Sequence, residues 1–173
     1  MNWKHINIPD IQASFSSIKL DDAGNILIGG YDLIDHREVL WYYDQKNLKE
    51  ITSTNSTTSS ITVMQGISYV MINKKLSLFK KGNLTELLDF TYLNGFVGGI
   101  WGRSINDCFI LTDEGISHYN GTDLKLIYPS SLWIRSFLIF NNGIMVLMRN
   151  HESGEIIILK GELMGEINNN IIN

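Results

Sequence analysis

Turn signals recur in phase along this chain, and the recurrence restricts the fold more than any single segment does. The turn after each third apolar run carries Asp44, Gly82, Gly121 and Gly161, at intervals of about 40 residues. A second class, after each first run, carries Gly24, Gly66, Asn106-Asp107 and Gly143 at comparable spacing. The runs between them are short and rich in β-branched and aromatic residues. They lack a sustained i, i+3, i+4 pattern, so strands are expected and helices are not. The clearest stretch runs from Ile100 to Tyr128, where apolar runs are cut by Asp113-Glu114-Gly115 and Asn120-Gly121-Thr122-Asp123. Gly, Asn and Asp tolerate the positive φ that tight hairpins demand, so the stretch reads as consecutive antiparallel strands.

A four-strand meander repeated at that interval is the unit of a β-propeller blade. The expectation is an all-β chain: a small β-propeller, or a propeller-like arc, of about four four-stranded antiparallel blades. The repeats fall at 11–51, 60–90, 96–128 and 131–167, within a single domain over 1–173. In the first repeat, Tyr31 to Glu38 reads as a longer connection, and Thr52 to Ser60 reads as a polar loop before the second. A strand from Trp3 to Pro9 is available to close the last blade, although Leu163 to Ile167 offers that blade a fourth strand of its own.

The residues Ile100, Trp101, Gly102, Ser104, Asn106 and Asp107, followed by Asp113, Gly115, Tyr119 and Gly121, resemble a bacterial propeller repeat. Its pattern is I-W-G-x-S-x-N-D, an apolar run, D-x-G and Y-x-G. The first repeat departs from it. Its D-A-G-N-I-L-I-G-G, Asp22 to Gly30, is similar to the D-x-x-G-N repeats of two-component-sensor and related propellers. The second and fourth repeats keep turn glycines and apolar runs alone. The resemblance implies a fold, which enzymes, lectins and scaffolds share; function has to come from a site.

Composition narrows the classes. Hydrophobic content of 44% and charged content of 18% are those of a globular protein. A net charge of −4, with lysines paired at Lys74-Lys75 and Lys80-Lys81 alone, argues against nucleic acid as a partner. The single cysteine, Cys108, cannot form an internal disulfide and is expected to be a small buried hydrophobe. The N-terminus shows no apolar secretory segment and no run reaches membrane-helix length. The expected location is therefore cytoplasmic, with no membrane partner, and the sequons at Asn55, Asn83 and Asn120 read as chance.

Strand alternation places the connections between second and third strands, and those leading to the next repeat, on one face. The longer connections all fall in those two classes: 31–38, 52–60, 89–95 and 149–155. Candidate protein-binding residues on this face are Tyr31, Asp32, Asp35, His36, Glu38, Asp113, Glu114, His151 and Glu152. Tyrosine among carboxylates suits a basic protein surface. No catalytic residue, metal site or cofactor is expected. His5, His36, His118 and His151 fall apart, without H-x-x-x-H or H-E-x-x-H spacing. Ser117 and His118 alternate to opposite faces, and the turn at Asp21 to Gly24 lacks the bidentate Glu of a calcium loop. Trp41, Trp101 and Trp133 are expected in the core, with sugar stacking as the alternative. The functional expectation is a non-enzymatic protein-binding module. Small size, acidic charge and the lack of a secretory segment together suggest an intracellular immunity or inhibitor protein covering the active site of a basic, nuclease-like toxin. The alternatives are a carbohydrate-binding or hydrolytic propeller domain, or a fragment of a sensor propeller.

Overall fold

The structure, a computed structural model, describes residues 11–21, 23–55 and 60–162. The apolar runs become strands grouped into four antiparallel sheets, each a meander in chain order. The first sheet holds β1 (Ala13–Leu20), β2 (Ile26–Asp32), β3 (Arg37–Tyr43) and β4 (Leu48–Thr54). The second holds β5 (Ser60–Met64), β6 (Ile67–Ile72), β7 (Lys75–Lys80) and β8 (Asn83–Asp89). The third holds β9 (Val97–Ser104), β10 (Asp107–Thr112), β11 (Gly115–Tyr119) and β12 (Leu124–Pro129). The fourth holds β13 (Trp133–Phe140), β14 (Gly143–Arg149) and β15 (Ile156–Glu162). The fold is all-β, of the β-propeller class, with four blades. The strands expected at Trp3 to Pro9 and Leu163 to Ile167 lie outside the described residues.

Two packing units divide after Pro129. In the first, the blades pack through their first strands: β5 lies against both β1 and β9. The period-2 alternation of a strand explains how the middle blade serves two neighbours. Val70 and Phe79 join Leu27, Leu40 and Tyr42 of the first blade, with Ile61 between them in the same cluster. Tyr69, Met71 and Leu76 point the other way and join Val97, Ile100, Cys108 and Ile110 of the third blade. Both faces are therefore covered, which is why β6 is a nearly unbroken apolar run, I-S-Y-V-M-I. Burying a side chain such as Val70 or Met71, both fully enclosed, stabilises by about 1.5–3 kcal/mol. Cys108 is fully buried in this core, as its sequence context suggested.

The tight hairpins of the second blade use two successive residues of positive φ, the geometry that matches strand twist. They are Gln65-Gly66 (52° and 76°), Asn73-Lys74 (51° and 63°) and Lys81-Gly82 (51° and 80°). Three of those six residues are Gln or Lys, which carry a Cβ penalty in that region. At Lys74 the penalty is offset locally: its Nζ donates to the Leu93 carbonyl at 2.7 Å and its own carbonyl accepts from Phe90 N at 2.9 Å.

Two expectations about turns are corrected. The connection from Tyr31 to Glu38 is shorter than the sequence suggested, because the β2–β3 ladder continues through Tyr31↔Glu38 and Asp32↔Arg37. Polar strand ends are tolerated there because Arg37 meets Glu50 through two 3.0 Å contacts across β3 and β4. Gly161 is a strand residue paired with Ile144, so β15 does not stop at Lys160.

In the second unit the two faces of β14 differ in exposure. Ile144, Val146 and Met148 alternate inward from β14. The opposite face aligns Leu138 with Met145, and Leu147 with Ile158, all exposed, while Ile156 stands across from Arg149. Trp133 opens this blade and is 53% exposed, so the expectation that it packs in the core is overturned. Trp41 is a core residue, and Trp101 is half-buried.

Candidate functional site

The hairpins between second and third strands and the connections between blades share one side of the first unit, and side chains tie them together. Thr54 Oγ1, at the end of β4, donates to Asn73 Oδ1 in the β6–β7 turn at 2.9 Å. Phe96 N, before β9, donates to Asp113 Oδ2 in the β10–β11 turn at 2.7 Å, and Asp113 N returns a bond to the Phe96 carbonyl at 3.3 Å. Together with the bonds of Lys74 to the β8–β9 connection, these links brace the loops into a platform.

The β2–β3 tip shows how local sequence sets this geometry. Asp32 ends β2, and its Oδ1 accepts from Ile34 N at 2.8 Å and Asp35 N at 3.2 Å. Those two backbone donors hold its carboxyl below the ordinary aspartate range. Leu33 N donates to the Gln12 carbonyl at 2.8 Å, and His36 takes a positive φ of 52° to turn the chain into β3. Asp35 lies 3.1 Å from Arg37, which also holds Glu50. Tyr31 and His36 approach as a tilted ring pair at 6.4 Å. A four-residue turn is thus fixed by at least three hydrogen bonds and an ion pair.

The nine predicted residues are distributed as follows. Tyr31, Asp32, Asp35, His36 and Glu38 share the β2–β3 hairpin, Tyr31 and Glu38 as a cross-strand pair. Asp113 and Glu114 form the β10–β11 turn on the same side of the first unit. His151 and Glu152 belong to the second unit. There His151 meets Trp133 edge to face at 4.1 Å, and Glu152 N donates to Asn150 Oδ1 at 2.9 Å. Two of the carboxylates, Asp32 and Asp113, are occupied by backbone donors, and Asp35 shares a guanidinium with Glu50. The same side also carries Lys74 and Lys75, the latter paired with Glu86 at 3.0 Å and Asp89 at 3.7 Å. The face is therefore a mixed ionic surface rather than a uniformly acidic one.

Sequence reasoning missed the apolar part of this face. Leu33 and Ile34, at the β2–β3 tip, are 50% and 62% exposed. Tyr92 and Phe96, in the β8–β9 connection, are 67% and 41% exposed. Large apolar side chains held outward on braced loops are the composition of an interaction surface. For Leu33, Ile34 and Tyr92 the available signal was their position inside segments already read as connections, whereas Phe96 fell at the start of the third repeat.

A second cluster was also missed. Arg103 of β9 donates from Nε to Asp107 Oδ2 at 2.5 Å and from Nη2 to Oδ1 at 2.9 Å; His118 Nε2 of β11 lies 2.8 Å from the same Oδ1. The His118 ring stacks at 4.9 Å on Phe109. Arg103 is the largest cause holding the Asp107 carboxyl below its usual range; burial opposes it and His118 adds to it. The neighbouring Cys108 thiol is pushed up to about 12 by burial, with the Asp107 charge adding, and is no nucleophile in this fold. Among the described residues no three His, Cys, Asp or Glu side chains gather into a metal site. No family model, curated protein or solved structure matches the chain.

Proposed function

We propose that this chain is a non-catalytic protein-binding module that uses the hairpin face of its first unit. The observation that carries the reading is the set Leu33, Ile34, Tyr92 and Phe96, exposed on loops that hydrogen bonds hold rigid. Exposing such side chains gains nothing for an isolated fold, whereas a preordered apolar anchor binds without a large ordering cost. Around them stand Asp35, Glu38 and Glu114, and the whole chain carries a net charge of −4. These charges suit a partner with an apolar pocket inside a basic margin, and they speed its capture. A toxin domain of the nuclease kind has that chemistry. In this proposal the module is a bacterial immunity or inhibitor protein that covers the toxin's substrate groove inside the producing cell.

The test is co-purification with the product of the adjacent gene, followed by titration of the purified pair. Ile34→Arg and Tyr92→Ala are each expected to weaken binding roughly tenfold or more, the scale of an interface hot spot. The proposal is lost if no protein partner co-purifies, or if a partner binds both variants as tightly as the parent.

A further inference from the structure

On one side of the fourth sheet, large apolar side chains stand in solvent on all three strands. Register sets nine positions of that side in three rows: Trp133, Arg149 and Ile156; Ser136, Leu147 and Ile158; Leu138, Met145 and Lys160. Six of the nine are exposed apolar residues, with Ile156 and Ile158 at 68% and Leu138 at 61%. An antiparallel sheet that turns one side to water normally places polar residues there. None of the nine belongs to the hairpin face of the first unit.

The patch is of interface size. The exposed fractions of the six side chains amount to roughly 600 Å² of apolar surface, at the upper end for the largest patch of a monomer and approaching the ~800 Å² that each partner brings to a standard interface. Its largest side chain is held in place. Arg135 lies over the Trp133 ring at 5.0 Å, and His151 meets that ring edge to face at 4.1 Å, so little ordering is left to be done on contact.

Charge selects the occupant. The rows carry Arg149 and Lys160, the latter paired with Glu162, and Arg135 stands beside Trp133. An anionic bilayer would have to hold a chain whose net charge is −4, against the sum of its charges. A second copy requires only that cations avoid cations. A two-fold axis parallel to the strands fails, because it sets Arg149 on Arg149. A two-fold axis across the strands, level with Leu147, succeeds. It places Leu147 and Ile158 each on its own counterpart, and carries Trp133 onto Leu138, Arg149 onto Met145 and Ile156 onto Lys160 of the other copy. The uncharged middle row is then enclosed, and the Arg149 stem lies over Met145 with its guanidinium reaching the rim. We propose that two copies of this chain associate face to face through this side of the fourth sheet, as a two-fold dimer.

Sedimentation equilibrium of the full chain tests this. The parent is expected to reach twice the 19.7 kDa of one chain at about 10–100 μM, the weak end for an interface of this size. Ile158→Asp sets two carboxylates against each other at the axis and should weaken the dimer by roughly tenfold or more, with circular dichroism verifying the fold. Cross-linking reads the register without adding charge. Facing sheets pack about 10 Å apart, and the counterpart of Ile156 lies about 13 Å farther along the strands, whereas that of Ile158 lies directly opposite. A short bismaleimide should therefore join copies of Ile158→Cys and leave Ile156→Cys unjoined; Cys108 is fully buried and adds no background. The proposal is overturned if the parent keeps the mass of one chain at about 100 μM, or if its mass exceeds two chains. It is equally overturned if Ile158→Asp dimerises like the parent, or if the two cysteine variants cross-link alike. A one-chain mass with Ile158→Asp strongly destabilised would assign the surface to a contact within the chain instead.

Discussion

Replacing Asp107 by Asn isolates the ionic cluster that ties three strands of the third blade. In the parent, its carboxylate accepts two bonds from Arg103 of β9 and one contact from His118 of β11. Asparagine keeps one acceptor but turns an amide donor towards an Arg103 donor, so at least one charge-assisted bond is lost and one contact becomes repulsive. The three side chains are 22% to 30% exposed, so solvent relieves part of the loss. Buried charge-assisted bonds are worth about 1.5–3 kcal/mol; discounted for that exposure, the change costs about 1–2 kcal/mol. For a chain of this size it lowers Tm by about 2–8 °C at pH 7. The folded-state pKa of Asp107 is depressed. Its stabilisation is therefore fully present above the unfolded aspartate value of about 3.9 and is lost as pH falls through the lower folded value. Thermal melts of parent and variant should differ fully at pH 5 to 7 and begin to converge below about pH 4, meeting once pH has fallen through the lower folded value. A double-mutant cycle with Arg103→Met should return a coupling of about 1 kcal/mol. Equal melting temperatures at pH 7, or an undiminished difference at acid pH, refute the assignment of a stabilising role to this cluster.

Three further outcomes follow from packing. Cys108, fully buried with its thiol pushed up to about 12, should resist alkylation in the native protein at pH 8 and react once denaturant opens the core; rapid native labelling counts against that burial. Gly30→Ala places a Cβ 2.6 Å from the Ser14 carbonyl and 3.2 Å from Trp41, and should cost about 1–3 kcal/mol in denaturant unfolding. Ile110→Ala, in the core between the second and third blades, should cost about 2–5 kcal/mol, whereas Ile34→Ser at the exposed tip should change stability by less than about 0.5 kcal/mol, both read from urea midpoints at constant m.

The blades were legible because their boundaries are written in local chemistry. Gly66, Gly82 and Gly121 each sit at a turn with positive φ, and each turn separates runs that cannot hold a helix. Where the chemistry was ambiguous the reading slipped. Tyr31-Asp32 and Arg37-Glu38 look like loop residues, yet cross-strand pairing and the ion pair of Arg37 with Glu50 keep them in the ladder. Gly161 looks like a turn residue, yet it lies beside Ile144, where its missing side chain leaves room for that isoleucine. The tryptophans were not separable by type: Trp41 is enclosed by Ile28 and Val39 on its own sheet, while Trp133 begins a blade whose neighbouring side chains leave half of it in solvent.

The Arg103, Asp107 and His118 cluster marks the boundary between what alternation can and cannot deliver. Alternation correctly separates Ser117, which is buried, from His118, which is not. It says nothing about which residue His118 faces. That needs register, and here register was within reach: the two-residue turn Asp113-Glu114 forces Thr112 opposite Gly115, and counting back sets Phe109 opposite His118. Asp107, two residues from Phe109, then shares the face of His118. The Arg103 contact could not be counted in the same way, because the β9–β10 register shifts between Asp107 and Cys108. The exposed tip residues Leu33 and Ile34 pose the opposite problem. Nothing in an apolar pair says that it stands outside a core; it is the Asp32 carboxylate, closing the turn beneath them, that holds both in solvent.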